Sequence, residues 1–122
     1  MPWVYKISAH KFYLNGTYMF DADYSGRPGF ADDSANECVS GKGPLPRGTY
    51  AIGTAFYHRR TKAMTMRLSP FIENQMCGRD GFMIHGNSAA HPRNASDGCI
   101  ILNLSGRKEI NDSNDKILVV ED

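Results

Sequence analysis

The sequence predicts one mainly β domain with at most one or two short helices. Short apolar or alternating segments are separated by turns rich in glycine, proline and asparagine, and little of the chain has helical character. The 122 residues are 41% hydrophobic, which suffices for a single self-supporting core. We therefore expect residues 1–122 to form one compact domain.

The N-terminal part of the chain predicts a β-hairpin followed by a long loop. Asn15-Gly16, a pair favoured in two-residue type I′ turns, separates Lys11–Leu14 from Thr17–Tyr24. Apolar residues alternate along the second arm, which predicts a half-buried strand. The segment from Ser25 to Gly48 lacks apolar runs, and irregular loops of that length are usually functional or mobile.

Five further strands are predicted in the rest of the chain. They are Gly48–His58, Ala63–Leu68, Phe82–Ile84, Cys99–Leu102 and Lys116–Glu121. The last three are unbroken apolar runs, a pattern that suits strands buried on both faces. Between the last two, Ser105 to Asn114 allows one short helix with Ser105 as its N-cap.

Charge and hydropathy exclude several classes of function. Lys and Arg number 14 against 13 Asp and Glu, so the net charge of +1 predicts no binding to nucleic acid or to an anionic membrane. No segment reaches the roughly 18 consecutive apolar residues that a membrane span requires. Residues 1–20 lack the pattern of a signal peptide, so we expect synthesis in the cytoplasm without a leader.

The three cysteines are too few for a disulfide-rich scaffold, and their odd number leaves at least one thiol free. Cys38 and Cys77 either form a disulfide or remain two ordinary buried thiols. The sequence does not give their separation in space, so both alternatives stay open at this stage.

The segment that best predicts chemistry places His85 at the end of one apolar run and Cys99 at the start of another. If the two strands are neighbours, His85 faces Cys99, and an imidazole can then hold the thiol as a thiolate. Gly98 allows a tight turn, and the N–H groups around it are candidates for an oxyanion hole. The carbonyl of Gly86 is placed to hold the other ring nitrogen of the histidine.

Two alternatives compete with this catalytic interpretation. A lone cysteine at the start of a strand is more often a packing residue, and only its combination with the neighbouring His and Gly residues favours catalysis. A zinc site built from His58, His85, His91 and Cys99 has none of the short-range ligand spacings that identify such sites. We therefore expect neither a metal nor another cofactor.

The motif around these residues resembles the active site of the L,D-transpeptidase catalytic domain. That family has His-Gly, a variable loop and Ser-His-Gly-Cys, whereas this chain has His85-Gly86 and Ser96-Asp97-Gly98-Cys99. The aspartate and the Gly-Pro-Leu-Pro-Arg-Gly-Thr-Tyr segment at 43–50 are more similar to the compact type VI secretion L,D-transpeptidase effectors. The resemblance covers nearly the whole chain and implies an L,D-transpeptidase-like β-sandwich.

The resemblance implies a cysteine enzyme that acts on peptidoglycan stem peptides. Cys99 would attack the carbonyl of the diamino acid before a terminal D-alanine, and His85 would activate the thiol and protonate the leaving amine. Gly86 would orient the histidine, while Ser96 and Gly98 would shape the oxyanion site. The candidate substrate contacts are Asp97, Arg79 and Lys42. Whether hydrolysis, exchange or cross-linking dominates is not predicted.

A cytoplasmic protein with a periplasmic substrate requires transport. We therefore expect delivery by a secretion machine to the periplasm of a target bacterium, a component of that machine as one partner, and an immunity protein as another. The alternative function is a non-catalytic module that binds peptidoglycan or glycan. Its candidate sugar-stacking aromatics are Trp3, Tyr5, Tyr13, Tyr18 and Tyr24.

Overall fold

The structure is a computed structural model that describes residues 2–59, 63–87 and 96–122. The described residues contain ten strands and one α-helix. The strands are β1 (Trp3–Lys6), β2 (Lys11–Leu14), β3 (Thr17–Asp21), β4 (Tyr24–Ser25), β5 (Gly48–Ile52), β6 (Phe56–His58), β7 (Ala63–Pro70), β8 (Met83–His85), β9 (Ile100–Ile101) and β10 (Ile117–Glu121). The helix α1 (Leu104–Asp112) lies between β9 and β10, and a short 3-10 turn spans Ser34–Asn36. The prediction of a mainly β chain with at most one or two short helices is confirmed.

The strands form one curled sheet in the order β3-β2-β1-β10-β5-β7-β8-β9-β4, with β6 paired to β7 outside this path. The pairs β1/β10 and β8/β9 are parallel, and the other pairs are antiparallel. Strand β10 lies between β1 and β5 and so joins the N-terminal hairpin to the strands that carry His85 and Cys99.

The core fills the inside of this curled sheet. Its largest fully buried side chains are Trp3, Tyr5, Tyr50, Phe12, Ile7, Leu45, Met66, Ile84, Ile100, Ile101, Leu102 and Ile110. Trp3 and Tyr5 are 1% and 0% exposed, so neither ring is available to stack on a sugar. For these two aromatics, the interpretation as glycan-binding residues is wrong, because alternation along β1 directs both into the core.

The predicted hairpin is present, but its second arm differs from the prediction. Asn15 and Gly16 have φ of 54° and 77°, as a type I′ turn requires. Strand β3 ends at Asp21 and is mostly exposed on both faces, with Tyr18 50% exposed, because it is an edge strand. Tyr24 and Ser25 instead form β4, which pairs with β9 at the other end of the sheet.

Two predicted boundaries are wrong. Helix α1 begins at Leu104, and Asn103 rather than Ser105 is its N-cap, since the Asn103 side chain accepts a 2.8 Å bond from the Gly106 N–H. The predicted strand from Gly48 to His58 divides into β5 and β6, because the chain leaves the β5 ladder at Gly53, whose N–H bonds the Arg67 carbonyl.

The last predicted strand is buried on one face rather than on both. Leu118 and Val120 of β10 are buried, whereas Ile117 and Val119 between them remain partly exposed. A run of apolar residues without alternation therefore does not by itself identify a strand covered on both faces. None of the helices among the described residues is long and apolar enough to cross a membrane.

The structure decides between the two alternatives for the cysteines. Cys38 and Cys77 form a disulfide with a Cα–Cα distance of 5.3 Å, and Cys99 takes no part in a disulfide. The bridge joins the long loop after β4 to the segment after β7, and the same two segments also meet where Arg79 bonds the Glu37 carbonyl. The prediction that Cys99 is the cysteine left out of a disulfide is confirmed.

We predict that Cys38→Ala lowers the free energy of unfolding by about 4 kcal/mol, because the bridge constrains an unfolded loop of 39 residues. Urea denaturation followed by circular dichroism measures this loss, and Ser40→Ala is the matched exposed control. The difference between wild type and Cys38→Ala should vanish in reductant. Equal stability of the two proteins without reductant would contradict the prediction.

Candidate active site

Strand β8, which ends at His85, and strand β9 are neighbours, as predicted, but they are parallel, and Cys99 directly precedes β9 instead of beginning it. The register places His85 beside Ile101 and Ile84 beside Ile100, so Cys99 lies two residues before the partner of His85. The expected direct opposition of His85 and Cys99 is therefore wrong. Side chains alternate along a strand, so positions 99 and 101 lie on the same face as His85. Two residues of offset on adjacent strands separate the Cα atoms by about 8 Å, a span that a His and a Cys side chain can close.

The ring of His85 is oriented for proton transfer. Its Nδ1 lies 2.8 Å from the Gly86 carbonyl oxygen, and a carbonyl only accepts, so Nδ1 carries the proton and Nε2 carries the lone pair. Burial lowers the pKa of His85, the bond to Gly86 opposes this, and the charges of Arg107 and His58 lower the pKa further. At neutral pH the imidazole is consequently neutral and able to accept a proton at Nε2.

The hydroxyl of Ser96 organises the turn that ends at Cys99. Ser96 Oγ donates to the Cys99 carbonyl at 2.5 Å and accepts from the N–H groups of Gly26 and Gly98, both at 3.0 Å. The one donor position and the two acceptor positions of the Ser96 hydroxyl are thus all occupied. The Gly98 N–H is engaged by Ser96, and its contribution to an oxyanion hole stays a prediction. The Cys99 N–H stays the predicted oxyanion donor.

Ser25 bonds the same turn through a second hydroxyl, which the sequence analysis assigned no role. Its side chain is fully buried; Oγ donates to the Gly98 carbonyl and accepts from the Leu45 N–H, each at 2.9 Å. The only sequence signal was its position within Tyr24-Ser25-Gly26. Ser25 thereby attaches the Pro-rich segment around Leu45 to the nucleophile turn.

Arg79 is buried against the turn that precedes Cys99 and does not lie at the surface. Its side chain is buried, and Nη1 donates to the carbonyls of Glu37 at 2.5 Å and Pro44 at 2.9 Å. Nη2 donates to the carbonyls of Gly43 and Asp97, both at 3.0 Å. Because these bonds direct the guanidinium into the protein, the predicted direct contact of Arg79 with substrate gains no support.

The other two predicted substrate contacts lie at the surface. The Asp97 carboxylate accepts a 2.7 Å bond from Arg27 Nε, and both side chains are about half exposed, so the pair contributes little stability. Lys42 is exposed, with Nζ 5.4 Å from the centre of the Phe30 ring. Substrate binding by Asp97 and Lys42 stays a prediction.

Arg107 is a residue of the site that sequence reasoning missed. Although it lies on α1, its side chain is buried, with Nε bonded to the Leu102 carbonyl at 3.0 Å and Nη1 to the Met64 carbonyl at 2.6 Å. Its guanidinium packs against Gly86, where an added Cβ would meet Nη2 at 2.7 Å. A single basic residue in a short helix resembles any surface residue in sequence, so no pattern indicated this position.

Within residues 2–59, 63–87 and 96–122, no three His, Cys, Asp or Glu side chains group in a way that would hold a metal ion. His91, one of the four zinc ligands considered above, lies outside the described residues.

Solved structures and a family model provide independent comparisons. The chain is similar to an L,D-transpeptidase from Mycobacterium smegmatis, with 19% identity and a TM-score of 0.53 over 98% of this chain and 58% of that one. Mycobacterium tuberculosis L,D-transpeptidase 1 has 16% identity and a TM-score of 0.49, over 98% of this chain and 60% of its own. The chain thus spans less than two thirds of each. No curated protein sequence matches it significantly.

The family model for the Tlde1 domain matches residues 20–119, a range that includes both His85 and Cys99. The first structural likeness independently gives the same fold as the motif resemblance. The chain has an L,D-transpeptidase-like fold and belongs to the Tlde1 domain family, the type VI L,D-transpeptidase effectors.

Proposed function

We propose that this chain is a cysteine L,D-carboxypeptidase or L,D-transpeptidase that removes or exchanges the terminal D-amino acid of peptidoglycan stem peptides. The observation that carries the proposal is that Cys99, which forms no disulfide, lies two residues before the strand partner of His85, whose Nδ1–H is held by the Gly86 carbonyl. Membership of the Tlde1 family supports the choice of substrate.

The first half of the reaction forms a thioester. His85 Nε2 accepts the Cys99 thiol proton, and the thiolate attacks the carbonyl carbon of the diamino acid before the terminal D-alanine. The Cys99 N–H stabilises the resulting oxyanion. As the tetrahedral intermediate collapses, the C–N bond breaks and His85 returns the proton to the leaving amine. D-Alanine departs, and the acyl group remains on sulfur.

The second half of the reaction depends on the nucleophile that reaches the thioester. His85 takes a proton from that nucleophile and passes it to the departing sulfur. Water gives a carboxylate and completes a carboxypeptidase cycle. The amine of a free D-amino acid gives exchange, and the side-chain amine of a second stem peptide gives a cross-link.

The biological role that follows is that of an antibacterial effector. In this proposal a secretion machine delivers the protein to the periplasm of a target cell, where loss or exchange of terminal D-alanine weakens wall synthesis. A producer of such an enzyme needs an immunity protein, and the groove beside Cys99 is the surface that this protein has to block.

We predict that Cys99→Ala lowers D-alanine release from tetrapeptide muropeptides by at least about a thousandfold, because no other group forms the thioester. His85→Ala should be comparably damaging. Chromatography with mass spectrometry, with and without an added D-amino acid, separates hydrolysis from exchange. Ser105→Ala on the exposed face of α1 is the control, and full turnover by folded Cys99→Ala would end the proposal.

We predict that removing the charge of Arg107 moves the acidic limb of the kcat/KM profile to higher pH. His85 acts as a base only when neutral, and Arg107 is one of the groups that lower its pKa. The activity of the wild type should therefore fall only when the pH drops below the ordinary pKa range of histidine. In Arg107→Met it should fall at a higher pH, whereas Arg107→Lys and the exposed control Lys108→Met should resemble wild type. An unchanged limb in folded Arg107→Met would contradict this assignment.

We predict that growth stops when the chain is exported to the periplasm behind an added signal peptide, and continues when the same chain stays in the cytoplasm. The periplasmic Cys99→Ala protein is the matched control and should be harmless. Growth curves with muropeptide profiles of the same cells measure the effect. Normal growth with active protein present in the periplasm would remove the support for an effector role.

A further inference from the structure

We propose that Arg79 is a positioning residue for the nucleophile, which fixes the turn that carries Cys99 and stabilises its thiolate with a buried positive charge. This inference rests on the proposed catalytic role of Cys99. It differs from the predicted role of Arg79 as a substrate contact, because the guanidinium acts through the main chain and through its charge.

The contacts of Arg79 place its guanidinium against the residue that precedes Cys99. The Nη2 group bonds the Asp97 carbonyl, and a Cβ added to Gly98 would lie 2.7 Å from the same nitrogen. The Phe82 ring, whose centre is 5.0 Å from the guanidinium carbon, would meet that Cβ at 2.5 Å. Only glycine at position 98 therefore admits both the cation and the ring so close to the nucleophile.

The charge of Arg79 is not cancelled by a carboxylate in contact with it. Its four hydrogen-bond partners are neutral main-chain carbonyls, and no ion pair among the described residues includes it. Glu37 hydrogen-bonds Arg79 through its carbonyl alone, and its carboxylate acts on Arg79 only through its charge, since Arg47 binds that carboxylate through bonds of 2.9 and 3.0 Å. Arginine stays protonated even when buried.

Few ionisable groups face this cation. Burial lowers the pKa of Arg79, and the negative forms of Tyr50, Cys99 and Glu37 oppose that effect. Burial raises the pKa of Tyr50 far above neutrality, so its phenol is uncharged under working conditions. The remaining charged side chain near the turn is Asp97, and Arg27 pairs with it at the surface. Because the carboxylates of Glu37 and Asp97 are each paired with another arginine, the anion left for Arg79 to stabilise is the Cys99 thiolate.

The state of His85 explains why a separate cation is needed. A protonated imidazole commonly stabilises a catalytic thiolate, but burial and Arg107 keep His85 neutral. A positive charge within a few ångströms lowers the pKa of a thiol. The pKa difference between the thiol and the imidazole becomes smaller, which favours transfer of the proton to Nε2. Arg79 supplies that charge permanently, whatever the protonation state of His85.

The experiment measures the rate of alkylation of Cys99 by iodoacetamide as a function of pH, read by peptide mass spectrometry. Cys38 and Cys77 are disulfide-bonded and do not react. Arg79→Met should slow alkylation at pH 7 by about tenfold or more and move the midpoint of the profile to higher pH. Arg79→Lys, which keeps the charge, should recover much of the shift.

Arg67→Met is the matched control, because the guanidinium of Arg67 also lies 5.0 Å from an aromatic ring, that of Phe56, but is exposed. A merely structural role would lower the melting temperature of Arg79→Met and leave the midpoint unchanged. Superimposable profiles for folded Arg79→Met and wild type would overturn the inference.

A second measurement keeps the inference testable if Arg79→Met does not fold. In the His85→Ala protein the imidazole is gone, and Arg79 should still hold the alkylation midpoint below the ordinary thiol value of about 8.5. A midpoint at or above that value would overturn the role of Arg79. Alkylation requires no peptidoglycan, so the two proposals can fail separately. If the midpoint depends on Arg79 as expected but the protein does not process muropeptides, only the proposed function is contradicted.

Discussion

Three successive carbonyl groups, those of Asp97, Gly98 and Cys99, each accept a hydrogen bond from a buried side chain. The donors are Arg79, Ser25 and Ser96, in that order. Leaving one such carbonyl buried and unbonded costs about 1–3 kcal/mol, so each donor fixes the turn at one point. Two of the donors lie far away in sequence, which makes the position of the thiol a property of the whole fold rather than of its own motif.

Two buried arginines act on the two halves of the catalytic pair in opposite directions. Arg107 lies behind the Gly86 backbone and disfavours the charged form of His85, whereas Arg79 is buried against the turn and favours the charged form of Cys99. Both are bonded to main-chain carbonyls, which hold a guanidinium in place without neutralising it. In the proposed mechanism, the site thus combines a neutral base with a stabilised nucleophile.

Local patterns in the sequence predicted the local features of the structure. Asn15-Gly16 gave the type I′ turn, and the apolar runs before His85 and after Cys99 gave the two strands of the site. The parallel register was not predictable, because apolar residues do not encode the direction of a partner strand. Ser25 and Arg107 were missed for a related reason, since their roles depend on contacts formed across the fold. The sequence shows that a hydroxyl or a guanidinium can donate a hydrogen bond, but it does not show which acceptor will lie near it.

The central place of β10 has a consequence for how the protein folds. Strands β1, β2 and β3 reach the strands of the site through β10, which pairs with β1 on one side and with β5 on the other. During synthesis, strand β1 can pair with β2 early, but its second partner, β10, lies more than a hundred residues further along the chain. Such distant pairing slows folding. The sheet closes only after β10 has left the ribosome, so a partly synthesised chain has both halves of the fold but no continuous structure to support its nucleophile.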